Sequence, residues 1–201
     1  DPTNASARAA LNLTGGGPSN IPEALLEARD AGRAVGAFNV YNLEGCLAVR
    51  RAVERVGSLP AILQLHPASM AFGGTALIAA CREVAADCAI PIFTQLDHAQ
   101  EMHIIQEALN AGVDGVMADG SHLPLEGNEE WTAAAVALAA SHGASVEAEL
   151  GKLAGEEDGL SVDLKEAKMT DPGVVAHYIA ATGVDALAVT IGNVHGKYSV
   201  Q

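Results

Sequence analysis

The chain has 201 residues, and its 11 Lys and Arg against 25 Asp and Glu give a formal net charge of −14 with histidine neutral. This acidic balance argues against nucleic acids and anionic membrane surfaces as partners, because both require a basic face. Apolar residues make up 49% of the chain, which is enough for one core, and the length suits a single domain. Aromatic residues make up only 3%, so Ala, Val, Leu and Ile must fill that core.

The cysteines and the longest apolar run bear on the compartment. Cys46, Cys81 and Cys88 are odd in number and form no C-x-x-C pair, so neither a disulfide framework nor a zinc knuckle is expected. They fall in predicted helices and are interpreted as small core residues. The apolar run 132–140 is far shorter than the roughly 20 residues of a membrane span. We therefore predict a reducing compartment, either the cytoplasm or an organelle stroma or matrix.

Short β-rich apolar runs alternate with helical segments along most of the chain. Residues 1–20 include a Gly-Gly-Gly-Pro stretch and predict a tail or linker, followed by one domain over 21–201. In chain order, the predicted strand-helix pairs are 35–40 with 43–56, 61–65 with 75–88, 91–98 with 101–110, and 115–120 with 129–142. A strand at 145–151, an irregular segment at 152–171, a helix at 172–182 and a strand at 186–192 complete the pattern.

This alternation predicts an α/β fold. Runs that are apolar at consecutive positions are typical of strands buried on both faces, hence of a parallel sheet with helices outside. The first strand is not followed by G-x-G-x-x-G, so the pattern favours a (β/α)8 barrel of the TIM-barrel type over a Rossmann sheet. Six strands are predicted, so about six of the eight βα units are present, and both edges of the sheet should be unpaired.

Polar residues follow the predicted strands at the point where each one ends. Asp97 and His98 close the third strand, Asp119 the fourth and Glu149 the fifth, and His195 follows the sixth. The carboxyl ends of barrel strands open on one mouth, so these side chains are expected to converge. Histidines and carboxylates in one cavity predict a divalent-metal site, with imidazole favouring Zn²⁺. The competing interpretations are a satisfied Asp97–His98 pair and a simple turn at Asp119.

Five ordered motifs carry a family resemblance, listed here as AFNVYN (37–42), LDHAQ (96–100), GVMADGSHLPLEGN (115–128), VEAELGKLAGEEDG (146–159) and GNVHGKY (192–198). Together they resemble the class II, metal-dependent ketose-bisphosphate aldolases, and the sequences of the motifs are most similar to aldolase modules of plant-type multidomain proteins. The resemblance implies a (β/α)8 barrel, usually a homodimer or larger. It also implies zinc-dependent cleavage of fructose or tagatose 1,6-bisphosphate, or a related ketose phosphate, to dihydroxyacetone phosphate and an aldehyde.

The resemblance also implies roles for single residues. His98 and His195 match two of three zinc histidines, while Asp119 and Glu149 match ligands of a second metal position. Asp97 matches the carboxylate that handles the proton of the C4 hydroxyl. The remaining matches are Glu157 as the acid that moves the C3 proton, Asn39 as a substrate contact, and Gly196 near the substrate phosphate. The resemblance leaves open whether a second divalent cation and a monovalent cation also bind.

The last part of the family pattern is missing. The chain stops at Gln201, before the segments that would supply the third zinc histidine and the phosphate loop. Three explanations stay open: a portion of a longer aldolase, an inactive aldolase-like structural or interaction subunit, or a barrel completed by a partner segment. A metal-dependent hydrolase is the rival from another enzyme class. His66 stands where the family commonly has a small hydroxyl residue, and it is interpreted as structural or surface, as are His103, His122, His142 and His177.

Overall fold

A computed structural model describes residues 17–153, 155–157, 160–162, 168–192 and 195. The helices are α1 (Ile21–Asp30), α2 (Leu43–Val56), α3 (Pro67–Ala86), α4 (Met102–Asn110), α5 (Leu125–Ala140) and α6 (Pro172–Thr182). The strands are β1 (Gly36–Asn39), β2 (Ala61–Leu65), β3 (Ile92–Ala99), β4 (Gly115–Ala118), β5 (Ser145–Leu150), β6 (Gly155–Glu157), β7 (Leu160–Val162) and β8 (Ala186–Val189).

Six strands form one parallel sheet in the order β1-β2-β3-β4-β5-β8, with helices alternating along the chain. This arrangement is a partial barrel, and it confirms the predicted α/β class and the six parallel strands. Among the described residues, β1 and β8 are the outer strands of the sheet. Apolar side chains are exposed there: Phe38 on β1 is 46% exposed, and Val189 on β8 is 39% exposed.

Capping side chains fix where several helices begin. The Asn20 side chain accepts a hydrogen bond from the Glu23 N–H at the start of α1, and Asn42 accepts one from the Gly45 N–H at the start of α2. Asn is among the best N-cap residues because its short side chain satisfies an otherwise unpaired N–H group. The Asn42 cap begins α2 three residues after β1 ends, which keeps the first βα loop short.

The core lies between the sheet and its helices. Leu63 of β2, Leu96 of β3 and Val116 of β4 have no exposed surface, and they pack with α3 and α4 residues such as Ile78 and Ile105. Burying an aliphatic side chain of this size stabilises a fold by about 1.5–3 kcal/mol. The apolar positions of the strands therefore hold the sheet, while their carboxyl ends carry the polar residues.

Five local features differ from the sequence-based prediction. The pattern did not predict α1, and it began α3 at residue 75, whereas the helix begins at Pro67 and has a non-helical residue at Gly74. Helix α5 begins at Leu125 rather than at 129. The segment predicted to be irregular contains the antiparallel pair β6–β7. Cys88, predicted to lie within a helix, follows the end of α3. In the described part of the chain, no helix has the length and apolar character needed to span a membrane.

Candidate metal centre

The site is built on the carboxyl ends of three adjacent strands. His98 is the penultimate residue of β3, Asp119 directly follows β4, and Glu149 is the penultimate residue of β5. Strands β3 and β4 pair in parallel, and the register of the pairing shifts between Leu96 and Ala99. The shift falls on Asp97 and His98, so the strand is irregular at the residues that carry the polar side chains.

His98 has an unusual backbone conformation. Its φ is +40°, and no other non-glycine residue in the described ranges has a positive φ. Side chains of L-residues are crowded in this left-handed region, at a cost of about 1–2 kcal/mol. Such strain persists where the surroundings fix it, and it clusters at functional sites. The conformation gives His98 an orientation that regular strand alternation would not supply.

His98, Asp119 and Glu149 form a compact group. The His98 Nδ1 lies 3.0 Å from Asp119 Oδ2 and 3.6 Å from Glu149 Oε2. One ligand atom from each residue lies within 4.8 Å of the others, a spacing that could hold a metal ion. The side chains are 11%, 4% and 5% exposed, respectively. The Ser121 N–H donates to Asp119 Oδ1 at 3.0 Å and fixes that carboxylate.

The three groups perturb one another's ionisation. Burial alone would lower the pKa of His98, but the hydrogen bond with Asp119 and the nearby carboxylate charges raise it to about 9. Burial would raise the pKa of Asp119, but its hydrogen bonds with His98 and Ser121 hold it well below its usual range. Burial, followed by the charge of Asp119, raises the pKa of Glu149 to about 7. A proton on His98 thus supplies the positive charge between two buried carboxylates.

This donor set fits a divalent cation. One imidazole nitrogen and two carboxylate oxygens are ligand types that Zn²⁺ and similar cations accept in proteins. A cation bound between the carboxylates would replace the positive charge that the His98 proton supplies. The sequence-based expectation that these three residues meet agrees with their positions, whereas their roles remain predictions.

Two other imidazoles lie beside His98. The ring centroid of His195 is 5.7 Å from that of His98, with the rings nearly perpendicular, although His195 is outside the compact three-residue group. The His66 ring centroid is 6.4 Å from that of His98. His66 follows β2, is 4% exposed, and caps α3 by accepting a hydrogen bond from the Ala68 N–H at Nδ1. Its position directly after a strand was the sequence signal that could have placed it at this mouth.

Asp97 is buried next to His98. It is 4% exposed, and its Oδ1 accepts a hydrogen bond from Gln64 Nε2 at 3.2 Å. Asn39 is the last residue of β1 and pairs in register with Gln64 of β2. Asn39 and Asp97 therefore lie at the carboxyl ends of β1 and β3, the two strands that flank β2, as their sequence positions predict.

A buried network behind β5 was not identified from the sequence. Asn128 of α5 donates from Nδ2 to the Glu149 carbonyl oxygen at 2.9 Å. Its Oδ1 accepts hydrogen bonds from the Tyr178 hydroxyl at 2.8 Å and from Thr132 Oγ1 at 3.2 Å. These residues join α5 and α6 to the strand that carries Glu149. Asn128 lies inside one of the recognised motifs, but a single Asn in a helix gives no sequence signal for such a contact.

Two predicted site residues fall outside what the structure describes. Glu157 lies in β6, and its side chain is outside the described parts of the chain. Gly196 lies outside the described residues altogether, as do residues 1–16 of the predicted tail. The proposed acid role of Glu157 and the phosphate contact of Gly196 stay predictions.

The sequence matches a known family over nearly all of the chain. The pattern that defines the fructose-bisphosphate aldolase class-II family matches residues 19–201. This chain belongs to that family. A D-tagatose-1,6-bisphosphate aldolase subunit GatY from Klebsiella oxytoca is 40% identical over 178 residues, which cover 88% of this chain and 62% of the relative. A fructose-bisphosphate aldolase from Thermus caldophilus is 40% identical over 176 residues, which cover 88% of this chain and 57% of that protein.

A solved structure of an aldolase has a similar fold. The YdjI aldolase from Escherichia coli K12 superimposes with a TM-score of 0.78 at 30% identity, covering 88% of this chain and 63% of that one. The chain thus spans about three fifths of the length of the aldolases it matches. The recognition of the family from the five motifs is confirmed.

Proposed function

We propose that the protein containing this chain catalyses zinc-dependent aldol cleavage and condensation of a ketose phosphate or bisphosphate. The products of cleavage would be dihydroxyacetone phosphate and an aldehyde. The observation that carries the proposal is the buried group of His98, Asp119 and Glu149 at the carboxyl ends of β3, β4 and β5, with Asp97 adjacent. Membership of the class II family supports the reaction class.

The proposed metal ligands are His98 and His195 at the zinc position, with Asp119 and Glu149 at a second position. When bound, a divalent cation supplies Lewis-acid stabilisation of negative charge on a substrate oxygen. The chain's own contribution is to hold the imidazole in one orientation, through the irregular register of β3 and the Asp119 hydrogen bond. Low exposure of the three side chains keeps water away from them, which strengthens electrostatic interactions.

Asp97 is the proposed proton carrier for the C4 hydroxyl. A carboxylate next to the metal ligand can accept this proton at neutral pH, and the Gln64 hydrogen bond holds Asp97 Oδ1 in place. Glu157 is the proposed acid-base group at C3, and Asn39 and Gly196 are the proposed substrate contacts.

The test compares three substitutions in the purified protein. Metal content is measured by mass spectrometry, and triose phosphate release is measured with fructose 1,6-bisphosphate and tagatose 1,6-bisphosphate. We expect His98→Ala to remove zinc and activity together. Asp97→Asn should retain zinc and reduce turnover by about 10²- to 10⁴-fold, the usual contribution of general acid-base catalysis. His103→Ala is the matched control, because this histidine is 69% exposed on α4 and should affect neither readout.

The result that would overturn the proposal is wild-type turnover in both the His98 and the Asp97 variants. For Glu157, the separate test is proton exchange at C3 of dihydroxyacetone phosphate. Glu157→Gln should reduce that exchange and leave the zinc content unchanged. Unaltered exchange would remove Glu157 from the mechanism while leaving the metal-site assignment intact.

A further inference from the structure

Two cysteine thiols contact each other between α2 and α3, away from the candidate metal centre. The Sγ atoms of Cys46 and Cys81 are 3.3 Å apart, and neither residue has exposed surface. They are 35 positions apart in the sequence, so the contact depends on how the two helices pack. Cys88 is also buried, but it follows the end of α3 and takes no part in this contact.

The hydrogen bonds around the pair give the two thiols different environments. The Cys46 thiol donates to the carbonyl oxygen of Asn42, the N-cap residue of α2, at 3.2 Å. Its sulfur can then accept a hydrogen bond from the Cys81 thiol. That hydrogen bond lowers the pKa of Cys46, whereas the same contact and burial raise the pKa of Cys81. Cys46 is therefore the better nucleophile of the two, because the thiolate is the reactive form.

The gap between the sulfurs is small compared with what a disulfide requires. An S–S bond is about 2.05 Å long, so the two sulfur atoms must approach each other by about 1.3 Å. Helix α3 has a non-helical residue at Gly74, with φ +52° and ψ −152°, on the N-terminal side of Cys81. This break separates the helical segment that carries Cys81 from the segment that begins after β2. An adjustment of the Cys81 segment toward α2 therefore does not require the whole of α3 to move.

We propose that Cys46 and Cys81 form a redox modification site, which hydrogen peroxide converts to an intramolecular disulfide. In the first step the Cys46 sulfur attacks one peroxide oxygen, so that an S–O bond forms, the O–O bond breaks and one water leaves. In the second step the Cys81 sulfur attacks the sulfur of the resulting sulfenic acid, so that an S–S bond forms, the S–O bond breaks and a second water leaves. Two thiols thus lose two electrons and two protons to peroxide, and an added dithiol reverses the change.

The test needs no substitution. The full-length protein is treated with hydrogen peroxide, quenched, denatured and alkylated, and its peptides are then identified by mass spectrometry. We expect the intact protein to lose two hydrogen atoms, a peptide pair linked through Cys46 and Cys81 to appear, and Cys88 to remain alkylated. The oxidised protein should also unfold at a higher temperature than the dithiol-treated protein, since the cross-link restricts the unfolded chain.

Two variants distinguish this site from general thiol oxidation. Cys88→Ala should form the same disulfide as the wild type. Cys81→Ala should form none, and its Cys46 sulfenic acid should be trapped by a dimedone reagent. The proposal is overturned if Cys46 and Cys81 both stay alkylatable in the wild-type protein at peroxide concentrations that oxidise Cys88. A link between either cysteine and Cys88 would overturn it equally, and both outcomes are read from the wild-type protein even if a variant fails to fold.

Discussion

The Asn128 network should be the most sensitive polar support of the candidate centre. The perturbation is Asn128→Ala. It removes the donor to the Glu149 carbonyl oxygen, and it removes the acceptor shared by the Tyr178 and Thr132 hydroxyls, all within a region at most 4% exposed. The Tyr178 and Thr132 hydroxyls keep their mutual hydrogen bond at 2.7 Å, so each loses one of its two partners. A buried polar group that loses a partner costs about 1–3 kcal/mol. Together with the lost packing, we expect the free energy of unfolding to fall by about 3–4 kcal/mol.

A conservative change in the same network should cost much less. Tyr178→Phe removes one hydroxyl, but Asn128 Oδ1 still accepts from Thr132 Oγ1 at 3.2 Å and its Nδ2 still reaches the Glu149 carbonyl. No buried acceptor is left unpaired, so the expected loss is about 1 kcal/mol. Asn110→Ala is the matched control at an exposed position, with an expected change within about 0.5 kcal/mol.

The assay is equilibrium denaturation by urea, combined with metal analysis of each variant. Asn128 acts on the strand that carries Glu149, so Asn128→Ala should also weaken metal binding by about 10- to 100-fold, as expected for residues that support metal ligands. Tyr178→Phe should retain the metal. Equal destabilisation by the two substitutions, or full metal retention in Asn128→Ala, would refute this reasoning.

Three further predictions concern the centre and its neighbouring loop. Gly151→Ala should lower the free energy of unfolding, measured by urea denaturation, by about 1–3 kcal/mol. Gly151 has φ +105°, and a Cβ there would lie 2.8 Å from the Lys168 carbonyl oxygen and 2.9 Å from Thr170 Oγ1. An unchanged denaturation midpoint would contradict this prediction. A metal ion competes with the proton on His98, so zinc affinity should fall about tenfold per pH unit as the pH drops below about 9. The affinity is measured by competition with a chelating dye. An affinity that does not change with pH would count against His98 as a ligand. In metal-free protein the raised pKa of His98 contributes stability that is fully present below pH 6.5 and is lost as pH rises through about 9. Asp119→Asn should lower this pKa, as measured by NMR titration of the imidazole. A His98 pKa that is unchanged in the variant would show that Asp119 does not hold the proton.

The sequence predicted the convergence of the site because of a general property of parallel sheets. His98, Asp119 and Glu149 are far apart in the chain, yet each comes at the end of an apolar run, and parallel strands end on one face. The fold class followed from the same alternation of runs. The resemblance of the motifs then named the family, which the residue types alone did not do.

The parts that could not be predicted depend on tertiary contacts or on local backbone. The start of α3 was missed because Gly73 and Gly74 interrupt the pattern, although Pro67 is a favourable residue in a first helical turn. His66 was interpreted as structural or surface because a lone histidine carries no periodic signal, and only its position after β2 relates it to His98. The positive φ of His98 coincides with the shifted register between β3 and β4, and no single-sequence pattern encodes either feature.

The energetic costs concentrated at the strand ends indicate a functional site rather than residues selected to stabilise the fold. His98 occupies a backbone region that costs about 1–2 kcal/mol, and Glu149 is buried where its ionisation is opposed, as its raised pKa of about 7 indicates. A sheet selected for stability alone would carry apolar residues at these positions, as it does at the buried Ala61 and Ile92 near the opposite ends of β2 and β3. A bound cation would compensate both carboxylates at once, and any ligand that binds only the folded state raises its stability. The strained backbone at His98 and the buried Glu149 carboxyl are therefore costs that a bound cation would offset, so we expect folding and metal binding to depend on each other.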